Sequence, residues 1–155
     1  MIPVGVHFAD VEEGAVYEFG SYTVTKEEML TFAEQYDPQP FHVDEAAARE
    51  SRFGGLIASG FHTASIFMWM FVDFFVDPAE SNAFPGAGLG ALAWREPVRP
   101  GDTLSVRTEI LRKEPPDESG LGEIHFRSIV SNQDDQHVMT LEPKGHYEGT
   151  EPETG

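Results

Sequence analysis

Over residues 16–24 the sequence VYEFGSYTV alternates apolar and polar side chains closely enough to predict a β-strand. Thr25 ends that alternation and suits a helix N-cap, with Glu27 and Glu28 following where the helix dipole favours negative charge. Over 26–35, Met29, Phe32 and Ala33 fall at helical spacing with Leu30 beside them. The helix must stop before Asp37-Pro38, because a residue preceding proline is pushed out of the α region. Pro38 and Pro40 predict an extended course over 37–43, and Asp44 is placed to cap a short helix over 45–50. After the tight connection FGGLIA comes the longest apolar segment, 59–76. Its apolar residues surround the helix, which predicts a central helix buried on every side. Glycine, asparagine and proline mark 78–90 as a loop. Strand-like segments follow at 89–97, 103–113, 123–132 and 136–147, divided by the turns RPGD, PPDESG and NQDDQ. One strand, then helices, then four strands make an α+β fold, an antiparallel sheet around one buried helix. Its open edges predict pairing with a second copy of the chain.

Composition narrows the function classes. The 155 residues suit one domain over 1–147, followed by an acidic tail at 148–155 expected to fray. There is no cysteine, which removes a disulfide framework, a thiolate metal site and a cysteine nucleophile, and fits a cytoplasmic protein. The N-terminus lacks the basic and apolar regions of a signal peptide, and the run at 66–76 is interrupted by Asp73 and too short to span a bilayer. Against 10 basic residues stand 27 acidic ones, for a net charge of −17. Nucleic acid and anionic membrane surfaces are therefore not expected as partners, because both need a basic face.

Candidate chemistry concentrates in YDPQPFHVD at 36–44 and in Ser59-Gly60. Asp37 and His42 stand five positions apart, on opposite faces of a straight strand, so a turn is needed to join them. The two prolines favour one and limit the pair's freedom. Together the two side chains can hold a water, with Asp37 taking its proton and His42 exchanging the other. Alternatively, Asp37 ends the preceding helix and His42 is a satisfied polar residue. Ser59-Gly60 opens the apolar helix, where amides lack internal partners and an oxygen can approach a residue without a Cβ. A carbonyl polarised there gains a preorganised donor; the other reading is that Ser59 is a cap and Gly60 a packing residue.

Other residues receive plainer readings. Asp44 is a helix cap, and His62 is expected to hydrogen-bond a neighbour rather than line a pocket. The run Phe67, Trp69, Phe71, Phe74, Phe75 is expected to pack the core rather than form an acyl tunnel. His7, His125, His137 and His146 lack metal-ligand spacing, and no metal is expected. The glycines of 86–90 follow a loop and carry no phosphate inference.

Read together, YDPQPFHVD and RFGGLIASGFHTA strongly resemble the MaoC-like dehydratases, the (R)-specific enoyl-CoA hydratases of the hotdog fold. The family pattern Asp-x-x-Pro-x-His-x-Asp is met by Asp37, Pro40, His42 and Asp44, with Ala48, Phe53, Ile57 and Ser59-Gly60 following. PVRPGDTL at 97–104 and VSNQ at 130–133 also look like the family's strand connections, so the likeness runs from about Phe19 to Tyr147. Gln39 departs from an asparagine common in the family, and Ser59 from a histidine. The resemblance implies a curved antiparallel sheet around the central helix and a homodimer or higher homo-oligomer. It also implies Asp37 and His42 as the catalytic dyad, with Gly60, Ser59 and Gln39 toward the oxyanion and substrate. The implied reaction, of the kind used in fatty acid metabolism, is reversible hydration of a trans-2-enoyl thioester, with coenzyme A as carrier and no further cofactor. An acidic surface disfavours an acidic carrier protein. Arg52, Arg95 and Arg99 are expected to be solvated cations rather than contacts for the carrier's phosphates. Bulky side chains of the central helix suggest a closed channel and short or branched acyl groups. A hotdog thioesterase, which does not need the histidine, and a non-catalytic acyl-thioester-binding module remain as alternatives.

Overall fold

In the computed structural model, residues 8–76 and 88–148 are described. Expectations for His7, for most of the 78–90 loop and for tail residues 149–155 lie outside them. A 3-10 turn, Phe8–Asp10, precedes strand β1 (Val16–Thr23). Helices α1 (Lys26–Tyr36), α2 (Pro40–Val43), α3 (Glu45–Glu50) and α4 (Gly60–Phe75) follow. Strands β2 (Gly88–Trp94), β3 (Thr103–Glu114), β4 (Leu121–Ser131) and β5 (His137–Glu148) complete the chain.

The five strands form one antiparallel sheet in the order β1-β3-β4-β5-β2, leaving β1 and β2 at its edges. Alternation puts Leu104, Val106 and Ile110 of β3 and Ile124, Phe126 and Val130 of β4 on the buried face. They pack with Phe67, Met70 and Phe75 of α4 in the hydrophobic core. Between Phe19 and Tyr22 the β1 register slips. Gly20 lies there at φ 84°, and a Cβ on it would stand 2.6 Å from Met70 Sδ, so glycine lets the strand close down on the helix.

Caps explain where the helices start. Thr25 Oγ1 accepts from Glu28 N at 3.2 Å while Glu28 Oε1 accepts from Thr25 N at 2.8 Å, a reciprocal pair at the start of α1. Asp44 Oδ1 accepts from Ala46 N and Ala47 N, as its position before α3 predicted.

Two expectations are corrected. The stretch after Pro38 does not stay extended: Pro40 begins the one-turn helix α2, closed by Asp44 N to Pro40 O at 2.9 Å. Proline suits that first position because its ring presets φ and the N–H it lacks would have no helical partner. Nor is α4 buried on every side. The sheet covers one face, and Phe61, Met68, Trp69 and Val72 stay 66%, 42%, 56% and 40% exposed on the other.

Candidate active site

Asp37 closes α1, its N–H bonding Ala33 O at 2.8 Å, and the α2 turn then carries His42 back toward it. The helical turn, rather than a bend in an extended segment, joins residues five apart. His42 Nε2 lies 3.3 Å from Asp37 Oδ2. On the other edge of the ring, Nδ1 is 2.8 Å from Ile57 O. A carbonyl only accepts, so Nδ1 carries a hydrogen, and in the neutral ring Nε2 offers a lone pair on the Asp37 side. The imidazole is 6% exposed and the carboxylate 20%, so solvent reaches the pair from the Asp37 side.

Two donors fix the carboxylate. Gln39 Nε2 donates to Oδ1 at 2.7 Å, and Ser59 Oγ donates to Oδ2 at 2.7 Å, with His42 beyond. Burial alone would raise the Asp37 pKa. The Gln39 and Ser59 bonds and the nearby imidazole outweigh it, holding the carboxyl below its usual 3.8. Asp37 is therefore ionised at neutral pH. Ser59 stands just before α4 yet makes no side-chain capping bond, because its hydroxyl is engaged by Asp37. Ser59 and Gln39, expected toward the oxyanion and substrate, both bond the carboxylate, and Gln39 also lines the cleft described next.

At the first residue of α4, the Gly60 N–H has no acceptor among the described residues. Gly60, Asp37 and His42 open together into a cleft of about 400 Å³. Ile57, Phe53 and Val98 give it apolar walls, and Arg95 and Glu96 also line it. Trp94 lies against Gly60, with Nε1 donating to Gly60 O at 2.9 Å. Sequence reading placed Trp94 in a strand and missed it as a cleft residue, since contact across 34 positions has no local signal.

Other candidates fall away from the cleft. The neighbours Phe61 and Thr63 line it, whereas His62 stacks on Phe32 with ring centres 4.7 Å apart. Among the described residues the expected hydrogen bond is not made: His62 Nδ1 is buried without a partner there, and Nε2 is 4.0 Å from Glu28 Oε2. Burial pushes this imidazole below its usual 6.5, against the pull of Glu28. Phe67, Phe71 and Phe75 are core residues as expected, whereas Trp69 is exposed. Arg99 is tied to Phe53 O and Arg95 to Thr140 Oγ1. Glu114, Glu123 and His125 bring possible ligand atoms within 4.8 Å of one another, away from this cleft. Arg112 already reaches Glu114 at 3.3 Å and His125 at 3.4 Å there, supplying positive charge.

Known proteins resemble this chain in sequence and in fold. The family model described as "MaoC like domain" matches residues 9–132. A MaoC-like dehydratase of solved structure from Rhodospirillum rubrum is 36% identical, covering 92% of this chain and 97% of its own, with TM-score 0.82. The (R)-hydratase PhaJ1 of Pseudomonas aeruginosa has TM-score 0.75 over 94% of this chain and 88% of its own; at 24% identity that likeness is one of fold, the hotdog. The 3-hydroxybutyryl-CoA dehydratase of Methylorubrum extorquens is 29% identical over 110 residues, 68% of this chain. The aligned region spans 64% of that relative's length.

Proposed function

The chain belongs to the MaoC-like domain family, and on that premise we propose that it hydrates a trans-2-enoyl-CoA reversibly to the (R)-3-hydroxyacyl-CoA. The observation that carries this reading is the 3.3 Å pair of an ionised Asp37 and a His42 whose Nδ1–H is held by Ile57 O. Two acceptors then face one small space, and a water there gives each a hydrogen while turning its own lone pair outward. With the thioester carbonyl over the Gly60 N–H, charge developing on that oxygen meets a preorganised donor, typically worth about 2.7–4 kcal/mol. The water oxygen bonds C3 and the π electrons move onto the carbonyl oxygen. The proton released to the pair is returned to C2 on the same face, which restores Asp37 and His42.

The exposed apolar side chains of α4 and the accessible edge strand β2 support a homodimer or higher homo-oligomer as the working form. Coenzyme A enters as the substrate's carrier, with no further cofactor in the scheme, in the cytoplasm. The domain proposed for this activity is 1–147. Among the described residues no helix is long and apolar enough to cross a membrane.

A hydration assay over four- to eight-carbon enoyl-CoAs at neutral pH, with Asp37→Ala as control, tests the proposal. Wild-type protein should consume the enoyl thioester and Asp37→Ala should not. Substrates left untouched by the wild type would overturn it in favour of an acyl-thioester-binding module. Thioester cleavage that survives His42→Ala would favour a thioesterase.

A further inference from the structure

Trp94 ends β2, and the pairing of that strand aims it. Gly88, Leu89 and Gly90 oppose Lys144, Pro143 and Glu142, whereas Ala93 and Trp94 oppose Thr140 and Met139. Between Gly90 and Ala93 the edge strand therefore carries one residue more than β5. Inside this bulge Ala91 sits at φ 49°, a left-handed conformation that a residue with a Cβ rarely adopts. Strand side chains alternate in direction, so one inserted residue turns every later side chain to the opposite face. The bulge is what directs Trp94, at the strand's end, to the first turn of α4.

There the indole is held by two contacts, although Trp94 remains 47% exposed. A Cβ built on Gly60 would overlap Trp94 Cε2 and stand 2.6 Å from Nε1, so the ring lies directly on the Gly60 backbone. Its N–H donates to Gly60 O at 2.9 Å, and Phe61 meets it edge-on with centroids 5.6 Å apart. Swinging the ring aside would break that hydrogen bond and leave Phe61 without its partner.

We propose that Trp94 determines acyl specificity, its indole walling the thioester position beside Gly60 and restricting the cleft to short, unbranched acyl groups. The inference rests on the hydratase reading above. With the carbonyl oxygen on the Gly60 amide, the indole lying on the Gly60 backbone walls the space that the atoms flanking that carbonyl would enter. A flat ring suits a planar conjugated enoyl group. About 400 Å³ must also hold the end of the carrier arm, so a longer or branched chain needs the space that the ring fills.

The test compares wild type with Trp94→Ala and Trp94→Phe. Calorimetry gives the affinities for butanoyl- and octanoyl-CoA, which bind without reacting, and kinetics gives kcat/KM for the four- and eight-carbon enoyl-CoAs. Wild type should favour four carbons. Trp94→Ala should move the eight-to-four ratio toward the longer chain by about tenfold or more in both measurements, in line with pocket discrimination per methylene. Trp94→Phe, which keeps a flat wall, should stay near the wild-type ratio; Trp94→Leu replaces the alanine variant if that fails to fold by circular dichroism. An alanine or leucine ratio within about twofold of wild type, or a wild type faster on eight carbons, overturns the proposal. If no enoyl-CoA is turned over but the binding ratio moves, the hydratase reading falls and the wall stands. If turnover is robust and the ratio does not move, the wall falls and the hydratase reading stands.

Discussion

At its start α4 gives Ser59 and Gly60 to a polar cleft, and near its end the same helix gives Phe71 and Phe75 to a dry aromatic cluster. Phe71 and Phe75 meet Phe126 at 5.1 and 5.7 Å, and Phe75 meets Phe19 edge-on at 5.2 Å. Phe75 and Phe126 are each 1% exposed. Rings of this kind stabilise the fold through the area they bury and their edge-to-face geometry. The other end holds an ionised carboxylate partly open to water, held by two donors beside an imidazole. Stability and chemistry thus occupy opposite ends of one helix. The two properties should separate under mutation.

The largest separation is expected from Asp37→Ala. It should lower kcat/KM for crotonyl-CoA hydration by roughly 10³-fold with little change in melting temperature. A melting loss comparable to that of a core deletion would break the contrast. Phe75→Ala should do the reverse, costing about 3–5 kcal/mol in denaturant unfolding while the folded fraction keeps the wild-type pH profile. Ser59→Ala removes a hydrogen bond to a charged group, worth about 1.5–3 kcal/mol, and should slow the reaction by roughly 10- to 100-fold. Because that bond lowers the Asp37 pKa, its loss should also move the acid limb of kcat/KM to higher pH. An unmoved limb would assign Ser59 to packing alone.

His62, in the first turn of α4 and stacked on Phe32, acts through the pH dependence of stability. Its folded pKa is depressed by burial below 6.5, with Glu28 opposing and Tyr22 bonded to Glu28 behind it. Above the unfolded value both states are neutral at this site. As pH falls through 6.5 the unfolded chain takes up a proton that the folded chain resists, so stability falls. His62→Phe should lose melting temperature less steeply than wild type between about pH 7.5 and 5.5; parallel slopes would remove His62 from the account. The smallest effect is expected at the bulge. Ala91→Gly relieves a left-handed residue and should stabilise by up to about 1 kcal/mol with acyl selectivity unchanged.

Much of this was legible in the chain because it is local. Strand alternation, the Thr25 and Asp44 caps and the helical spacing of Met29, Phe32 and Ala33 act over a few residues, and each reappears in the structure. The proline-rich segment misled for an equally local reason: Pro40 suits either an extended chain or the first position of a helix, and only the closing bond from Asp44 chose the helix. Apolar residues all round α4 suggested burial on all sides, but one sheet covers one face. Nothing in the sequence marks the bulge at Ala91 beyond the glycines beside it.

By itself the sequence determined most of the elements, α2 excepted, with their order and the acid and imidazole that stand where α1 gives way to α2. The tertiary structure decided what those groups do. It brought Ser59 to Asp37 across 22 positions, set the hydrogen on His42 Nδ1 through Ile57 O, and laid Trp94 on Gly60 across 34. Periodicity and capping are written in neighbouring residues. Contacts of that span depend on strand register and on how a helix seats against a sheet, and these are settled only when the whole core packs.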